Sequence, residues 1–366
     1  MTAWSTALAM TAPAGSGRAQ IFRGGRLIDQ FSVTPGSSFT YTDYLLWPST
    51  GYGYEIRWVS AAGSIVLDQS LTVRTTAASG AFPRMYGPGS FWNQPIVTGA
   101  ALDPNSAAMV VRSLAAGLGE SNLANSDEWG IAVAYANPAS RLYSVGCQLY
   151  GCDRPASFRI PSYAAPTTGS DHHLVVLDPA AGTELDTWEA THDATTDSWS
   201  AGSRYITAMA GWGALCQPGQ RCGGAVAAGF ATLGGIVRPE EIAQGHIDHA
   251  LFLTLPNVRS GLLACPATGS DGGDTNTAAI PEGARVQLDP SFNVDAQAWP
   301  RWEKVVATAL QQYGAYVGDT GDTPAIRAEA TIDRGYDAWA MLGVPRSPTL
   351  AGLPWGDFRV LQIQPC

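Results

Sequence analysis

Every histidine of the chain lies between positions 172 and 249: His172, His173, His192, His246 and His249. Acids crowd the same part of the chain, among them Asp171, Asp178, Glu184, Asp186, Glu189, Asp193 and Asp248. Histidine is the ordinary general acid/base near neutral pH, and a carboxylate does the same work when its pKa is tuned. Three strand-like segments carry these groups: 171–178, 183–190 and 247–255. If they are neighbours in one sheet, the groups converge. Along the first, His172 and His173 must point to opposite faces. Along the second, Glu184 and Asp186 share a face, and Glu189 joins them only through a bulge. Along the third, His249 falls in a row with Ile247, Leu251 and Leu253, while His246 falls with Asp248. Each of these side chains also has a purely structural reading, as a hydrogen-bonded core histidine or an acidic strand edge. A metal site would draw on His173, His249 and a carboxylate. No spacing is diagnostic of one, so no metal and no cofactor is expected.

The chain has twelve tryptophans in 366 residues. A flat apolar face with one polar edge suits stacking on sugar rings as well as core packing. Trp92, Trp188, Trp199 and Trp212 are the candidate substrate-binding residues. The catalytic candidates are Asp186, Glu189, His173, His249 and Asp248. If the chemistry is hydrolysis, Asp186 and Glu189 are the carboxyl pair, positioned by the histidines. If it is β-elimination on a uronic acid, a histidine takes the C5 proton and Arg204 or Arg238 neutralises the carboxylate.

The run Glu184-Leu185-Asp186-Thr187-Trp188-Glu189 resembles the E-x-D-x-x-E strand of some retaining β-glucanases, a jelly-roll family, over six residues. That resemblance implies one acid as nucleophile and another as acid/base, about 5–5.5 Å apart.

Composition excludes several classes. The net charge is −10, with one lysine, Lys304, so a nucleic-acid partner is not expected. No apolar run reaches ~18 residues, which argues against a transmembrane helix. Gly 41 and Pro 24 point to short strands and many turns. The six cysteines fall as two close pairs, Cys147/Cys152 in CQLYGC and Cys216/Cys222 in CQPGQRC, plus Cys265 and Cys366. With no CxxC and no zinc-like His spacing, we read two small disulfide loops and a long Cys265–Cys366 bridge, hence an oxidising environment. Six free thiols are the alternative. The first fifteen residues lack a basic segment and make a poor export signal. An extracellular protein without one could leave its cell by lysis, as a virion component does.

Residues 1–76 read as all-β. Gln20 to Ile28 forms a hairpin with a Gly24-Gly25 turn, and Tyr52, Tyr54, Ile56 and Trp58 alternate with Gly53, Glu55, Arg57 and Val59. About six short strands suggest an immunoglobulin- or fibronectin-like sandwich. Residues 77–90, rich in Gly, Pro and Ala, read as a linker. Residues 91–366 read as a larger β-rich domain, sandwich- or jelly-roll-like, with three helices: one from Asp103 to Gly117, one at Pro239–Gln244, and one from Pro300 to Tyr313 stopped by Gly314.

The pattern Tyr41-Thr42-Asp43-Tyr44, Pro48, Tyr52, Tyr54 and Ala61-Ala62-Gly63 resembles the β-sandwich modules of minor tail proteins from actinobacterial phages, over roughly 40 residues. A second resemblance spans most of 91–325. It runs from Phe91-Trp92-Asn93 and Asp103-Pro104-Asn105-Ser106 through His173-Leu174-Val175-Val176, Asp186, Trp188-Glu189-Ala190 and Trp199-Ser200-Ala201-Gly202. It continues through Ala227-Ala228-Gly229, Ile236-Val237-Arg238 and Ile247-Asp248-His249-Ala250-Leu251 to Leu310, Tyr313-Gly314 and Asp319. These pieces look like an uncharacterised family of secreted actinobacterial proteins. The resemblance carries over His173, Asp186, Glu189, Asp248 and His249 as site positions; Glu184, His172 and His246 do not match its pattern.

Together these readings give an expectation: a phage minor tail or tail-tip protein, extracellular on the virion, that binds and cleaves a host cell-envelope polysaccharide. Its other partners would be tail proteins, and a homo-oligomer is left open. The rivals are a glycan-binding adhesin without turnover and a purely architectural tail protein.

Overall fold

In the computed structural model, which describes residues 2–115, 120–152, 157–217 and 219–366, the protein is mainly β and sandwich-like. Six strands come first: β1 (Thr6–Thr11), β2 (Arg18–Arg23), β3 (Arg26–Ser32), β4 (Ser38–Asp43), β5 (Gly51–Val59) and β6 (Ile65–Arg74). They form a four-stranded sheet in the order β3-β2-β5-β6 and a β1-β4 pair. Gly24 and Gly25, both at positive φ, make the tight turn between β2 and β3. The period-2 pattern of β5 buries Tyr54, Ile56 and Trp58 against Ile21, Ile28 and Phe31. Full burial of side chains of this size contributes ~1.5–3 kcal/mol each.

This unit is bolted to the rest of the chain. Asn137 exchanges two hydrogen bonds with the Thr42 backbone, at 2.7 and 2.9 Å. Tyr44 stacks on Tyr135 at 4.6 Å between ring centroids. The Tyr336 hydroxyl donates to the Leu45 carbonyl at 2.7 Å. Segment 77–90 has no strand or helix. Its second half is packed inward: Phe82 sits edge-on to Trp4, and Tyr86 is buried.

Next come β7 (Asn122–Ala124), β8 (Ile131–Tyr135), β9 (Leu142–Ser144), β10 (Gly146–Cys152), β11 (Ser157–Arg159), β12 (Leu174–Asp178), β13 (Thr183–Trp188), β14 (Thr191–Asp193) and β15 (Ser198–Ala208). The chain closes with β16 (Leu251–Leu255), β17 (Arg285–Leu288), β18 (Ala315–Thr320), β19 (Ala325–Arg327), β20 (Glu329–Ala330) and β21 (Phe358–Val360). One sheet runs β10-β15-β13-β12-β8-β20 with β14 on β15; a second runs β21-β17-β18-β16-β19-β7. Both mix parallel and antiparallel pairs, with β8 beside β12 and β16 beside β18 both parallel.

Four α-helices accompany the sheets: α1 (Ser106–Val110), α2 (Pro239–Gln244), α3 (Arg301–Gln312) and α4 (Ala338–Met341). α1 starts after Asn105 rather than Asp103 and widens over Val111–Ala115; its expected stop, Gly117, lies outside the described residues. The stripe Trp302, Val305, Val306, Ala309 and Leu310 on α3 is buried against the second sheet, as its 3.6-residue period predicts. All three expected disulfides are present: Cys147–Cys152, Cys216–Cys222 and Cys265–Cys366.

The two large sheets meet along one piece of chain. β19 belongs to one and β20 to the other, so residues 325–330 cross from sheet to sheet. β7 lies against β19 and β8 against β20. Gly130 makes this crossing possible: a Cβ there would lie 2.8 Å from the Ala330 nitrogen and from the Ser126 oxygen.

Candidate functional site

Burial divides the five expected catalytic residues. Asp186 is fully enclosed. Its carboxylate accepts from the Thr207 hydroxyl at 2.8 Å and from the Thr232 amide at 2.8 Å. Its neighbour Glu184 accepts from Tyr86 at 3.0 Å and from the Leu233 amide at 3.0 Å. Burial raises both carboxyls above their ordinary range, and the nearby Asp186 pushes Glu184 further. This is a pair buried between a sheet face and the 230–236 loop, out of reach of a polymer.

His249 is also enclosed. Its Nδ1 faces the Ala250 carbonyl at 2.9 Å and its Nε2 faces Glu241 at 2.8 Å. Burial works against its charge, but Glu241 outweighs that and holds it above its ordinary value. Asp248 is half-exposed and pairs with His246 at 3.2 Å. Glu189 is half-buried at positive φ, next to Gly202. So the structure does not gather Asp186, Glu189, His173, His249 and Asp248 in one groove.

The tryptophans divide likewise. Trp92 is a core plug whose ring fills space over Gly213, Gly234 and Gly235 and whose Nε1 donates to the Gly213 carbonyl. Trp199 is buried beneath His192. Trp212 packs partly buried against the same cluster as Trp92. Trp188 stays half-exposed beside Tyr150.

His173 leads to an open site. It immediately precedes β12, near the seam between the sheets. Its Nδ1 faces the Thr187 carbonyl at 3.2 Å and therefore carries the proton. Its Nε2 has no hydrogen-bond partner and lies 3.9 Å from Asp171. Burial, then the nearby Arg327, pushes the imidazole down to about 4, so it is neutral at pH 7. Asp171 itself is anchored: Trp188 Nε1 donates to its carboxylate at 3.4 Å, and the Glu189 amide donates to its carbonyl at 2.7 Å. His172 and Glu189, which flank this contact, both hold positive φ, a strained arrangement of the kind that collects at working sites.

Asp171 lines a groove of about 710 Å³ along the seam. Thr254 and Arg327 line it from the second sheet, Asp322 from the turn between β18 and β19, and Trp129, 49 % exposed, stands at its wall. Arg327 lies over the Phe252 ring and donates to Asp319 at 2.7 Å; its Nη1 is buried without a partner. Asp319, with Asp271 and Glu282, forms a carboxylate cluster behind this wall. Burial pushes Asp319 up to about 6 and Glu282 up to about 9. Asp171, in the turn before β12, and Asp322, in the turn between β18 and β19, thus bring two carboxylates to one groove, beside a neutral imidazole and a guanidinium. That set can bind polar ligands and transfer protons.

The sequence singled out His173, which the structure sets beside Asp171, but not Arg327, Asp322, Trp129 or Thr254. The available signal was Asp319 with Asp322, at the end of the strand next to β16.

The two histidines should titrate in opposite directions. In NMR pH titrations, His173 should stay neutral down to about pH 4, while His249 stays protonated above its ordinary pKa of 6.5. With its pKa depressed on folding, His173 contributes stability above pH 6.5 that is lost as pH falls towards 4. His249 contributes stability below pH 6.5 that is lost as pH rises through its raised pKa. A His173 midpoint near 6.5 would contradict the buried, Arg327-facing placement.

No family model and no curated protein matches the chain. Among solved structures, a family 28 exopolygalacturonase from Yersinia enterocolitica is similar over 28 % of this chain and 22 % of its own, at 21 % identity and a TM-score of 0.18. No helix among the described residues is long and apolar enough to cross a membrane.

Proposed function

We propose that this protein binds a cell-envelope polysaccharide in the seam groove and cleaves it there. One observation carries the reading: the groove is large and open, with Asp171 from the turn before β12, Asp322 from the turn between β18 and β19, and an exposed Trp129 all lining it. Glycoside hydrolysis calls for two carboxyl groups flanking the scissile bond, and an aromatic face holds a sugar ring at little entropic cost. The three disulfides favour an oxidising, extracellular setting. With the tail-module resemblance of 41–63, this supports a place in a phage tail or tail tip. The edge strand β6, which exposes Ile65, Val66, Leu67 and Leu71, offers a surface for other tail proteins or a second copy.

Binding is tested separately from turnover. Trp129→Ala should weaken retention on insoluble actinobacterial envelope glycan about tenfold, or ~1.4 kcal/mol, with an unchanged melting temperature. Unchanged retention would remove the groove from the binding surface.

A further inference from the structure

We propose that Asp271, Glu282 and Asp319 bind a hard divalent cation, calcium by its donor set, which pins the irregular segment 256–284 to β18. The three side chains come from separate places: Asp271 and Glu282 from that segment, Asp319 from β18. They offer one ligand oxygen each, all within 4.8 Å of one another. Two oxygens on one calcium ion, each about 2.3–2.6 Å from it, have this spacing. The second observation is Glu282 itself. It is fully enclosed, yet its Oε1 has no hydrogen-bond partner, and burying such an oxygen unmatched costs free energy.

Lone pairs remain free for a cation at every member. Glu282 Oε2 accepts from the Asp271 amide at 3.2 Å, leaving Oε1. Asp271 Oδ2 accepts from the Thr320 hydroxyl at 2.7 Å, leaving Oδ1. Asp319 accepts from the Thr320 amide at 3.0 Å and from Arg327 at 2.7 Å, so one carboxylate of the three is neutralised by an arginine. Asp271 is exposed and gives the ion its way in, and water would complete the shell.

Between β16 and β17, residues 256–284 contain no helix and no strand. Thr320 joins the cluster to the groove wall, so the ion would stiffen one side of the groove. The site stands whether or not the groove cleaves a glycan.

The full chain, stripped with chelator and exchanged into chelator-free buffer at neutral pH, is titrated with calcium chloride by calorimetry and by thermal melting. One saturable site and a rise in Tm of about 2 °C or more are expected, with magnesium binding more weakly. Asp271→Asn should weaken calcium binding at least about tenfold and leave the melting temperature of the cation-free protein unchanged. Glu282→Gln should abolish the calcium response; if that variant fails to fold, Asp271→Asn decides alone. No saturable heat and no Tm change up to about 10 mM calcium would overturn the proposal. So would calcium binding of wild-type strength in Asp271→Asn.

Discussion

Arg334→Leu should destabilise the protein by about 3–5 kcal/mol, a large share of the ~5–15 kcal/mol that holds a domain folded. Arg334 is buried just after β20, where the N-terminal four-stranded sheet meets the rest of the chain. Its guanidinium donates to both Glu240 oxygens, at 2.6 and 3.0 Å, and to both Glu329 oxygens, at 2.6 and 2.8 Å. Arg238 completes the network on Glu329, and Arg23 of the N-terminal sheet donates to the Arg334 carbonyl. Burial works against charge on Glu329, but Arg238 and Arg334 outweigh it and keep the carboxyl below its ordinary range. Leucine restores the apolar volume but leaves Glu240 buried with its charge uncompensated, and that desolvation penalty dominates. Adding Glu240→Leu should recover part of the loss, because removing both partners is far cheaper than removing one. Urea unfolding of the two variants measures this. A loss under about 1 kcal/mol for Arg334→Leu would show that water reaches the network.

Asp171→Asn should lower glycan cleavage by about 10²–10⁴-fold, the usual contribution of one acid–base group. Asparagine keeps the shape of the side chain and can still accept from Trp188 Nε1, so melting temperature and glycan retention should stay near wild type. Asp186→Asn should do the reverse. It disturbs the buried pair with Glu184 and therefore costs stability, with any loss of turnover following from that. Equal losses of turnover at matched stability in both variants would place the chemistry away from the seam.

Much of the scaffold was legible because its signals are local. The alternation in β5, the Gly24-Gly25 turn, the α3 stripe and the two short cysteine pairs each need only a few consecutive residues. The site was less legible because its parts come together across the chain. Asp171, Thr254, Asp322 and Arg327 meet only where residues 325–330 pass from one sheet to the other, and no local period announces that crossing. Glu184 and Asp186 show the converse problem. A carboxylate pair on a strand reads the same whether it faces solvent or a core. What buries this one are Tyr86, Thr232 and Leu233, tens of residues away. His249 sat in an apolar row needing a partner, and the partner was Glu241, one helix earlier. His173 drew attention through the clustering of histidines and acids along the chain, whereas Trp129 did not, because a lone tryptophan in a loop carries no pattern.

The most direct test of the central claim is to incubate the protein with purified actinobacterial envelope polysaccharides and chromatograph the soluble fraction for new oligosaccharides. Wild type should release them, and Asp171→Asn, still bound to the glycan, should not. Retention by both proteins with no release by either would make this an adhesin, and no binding at all would contradict the glycan assignment of the groove.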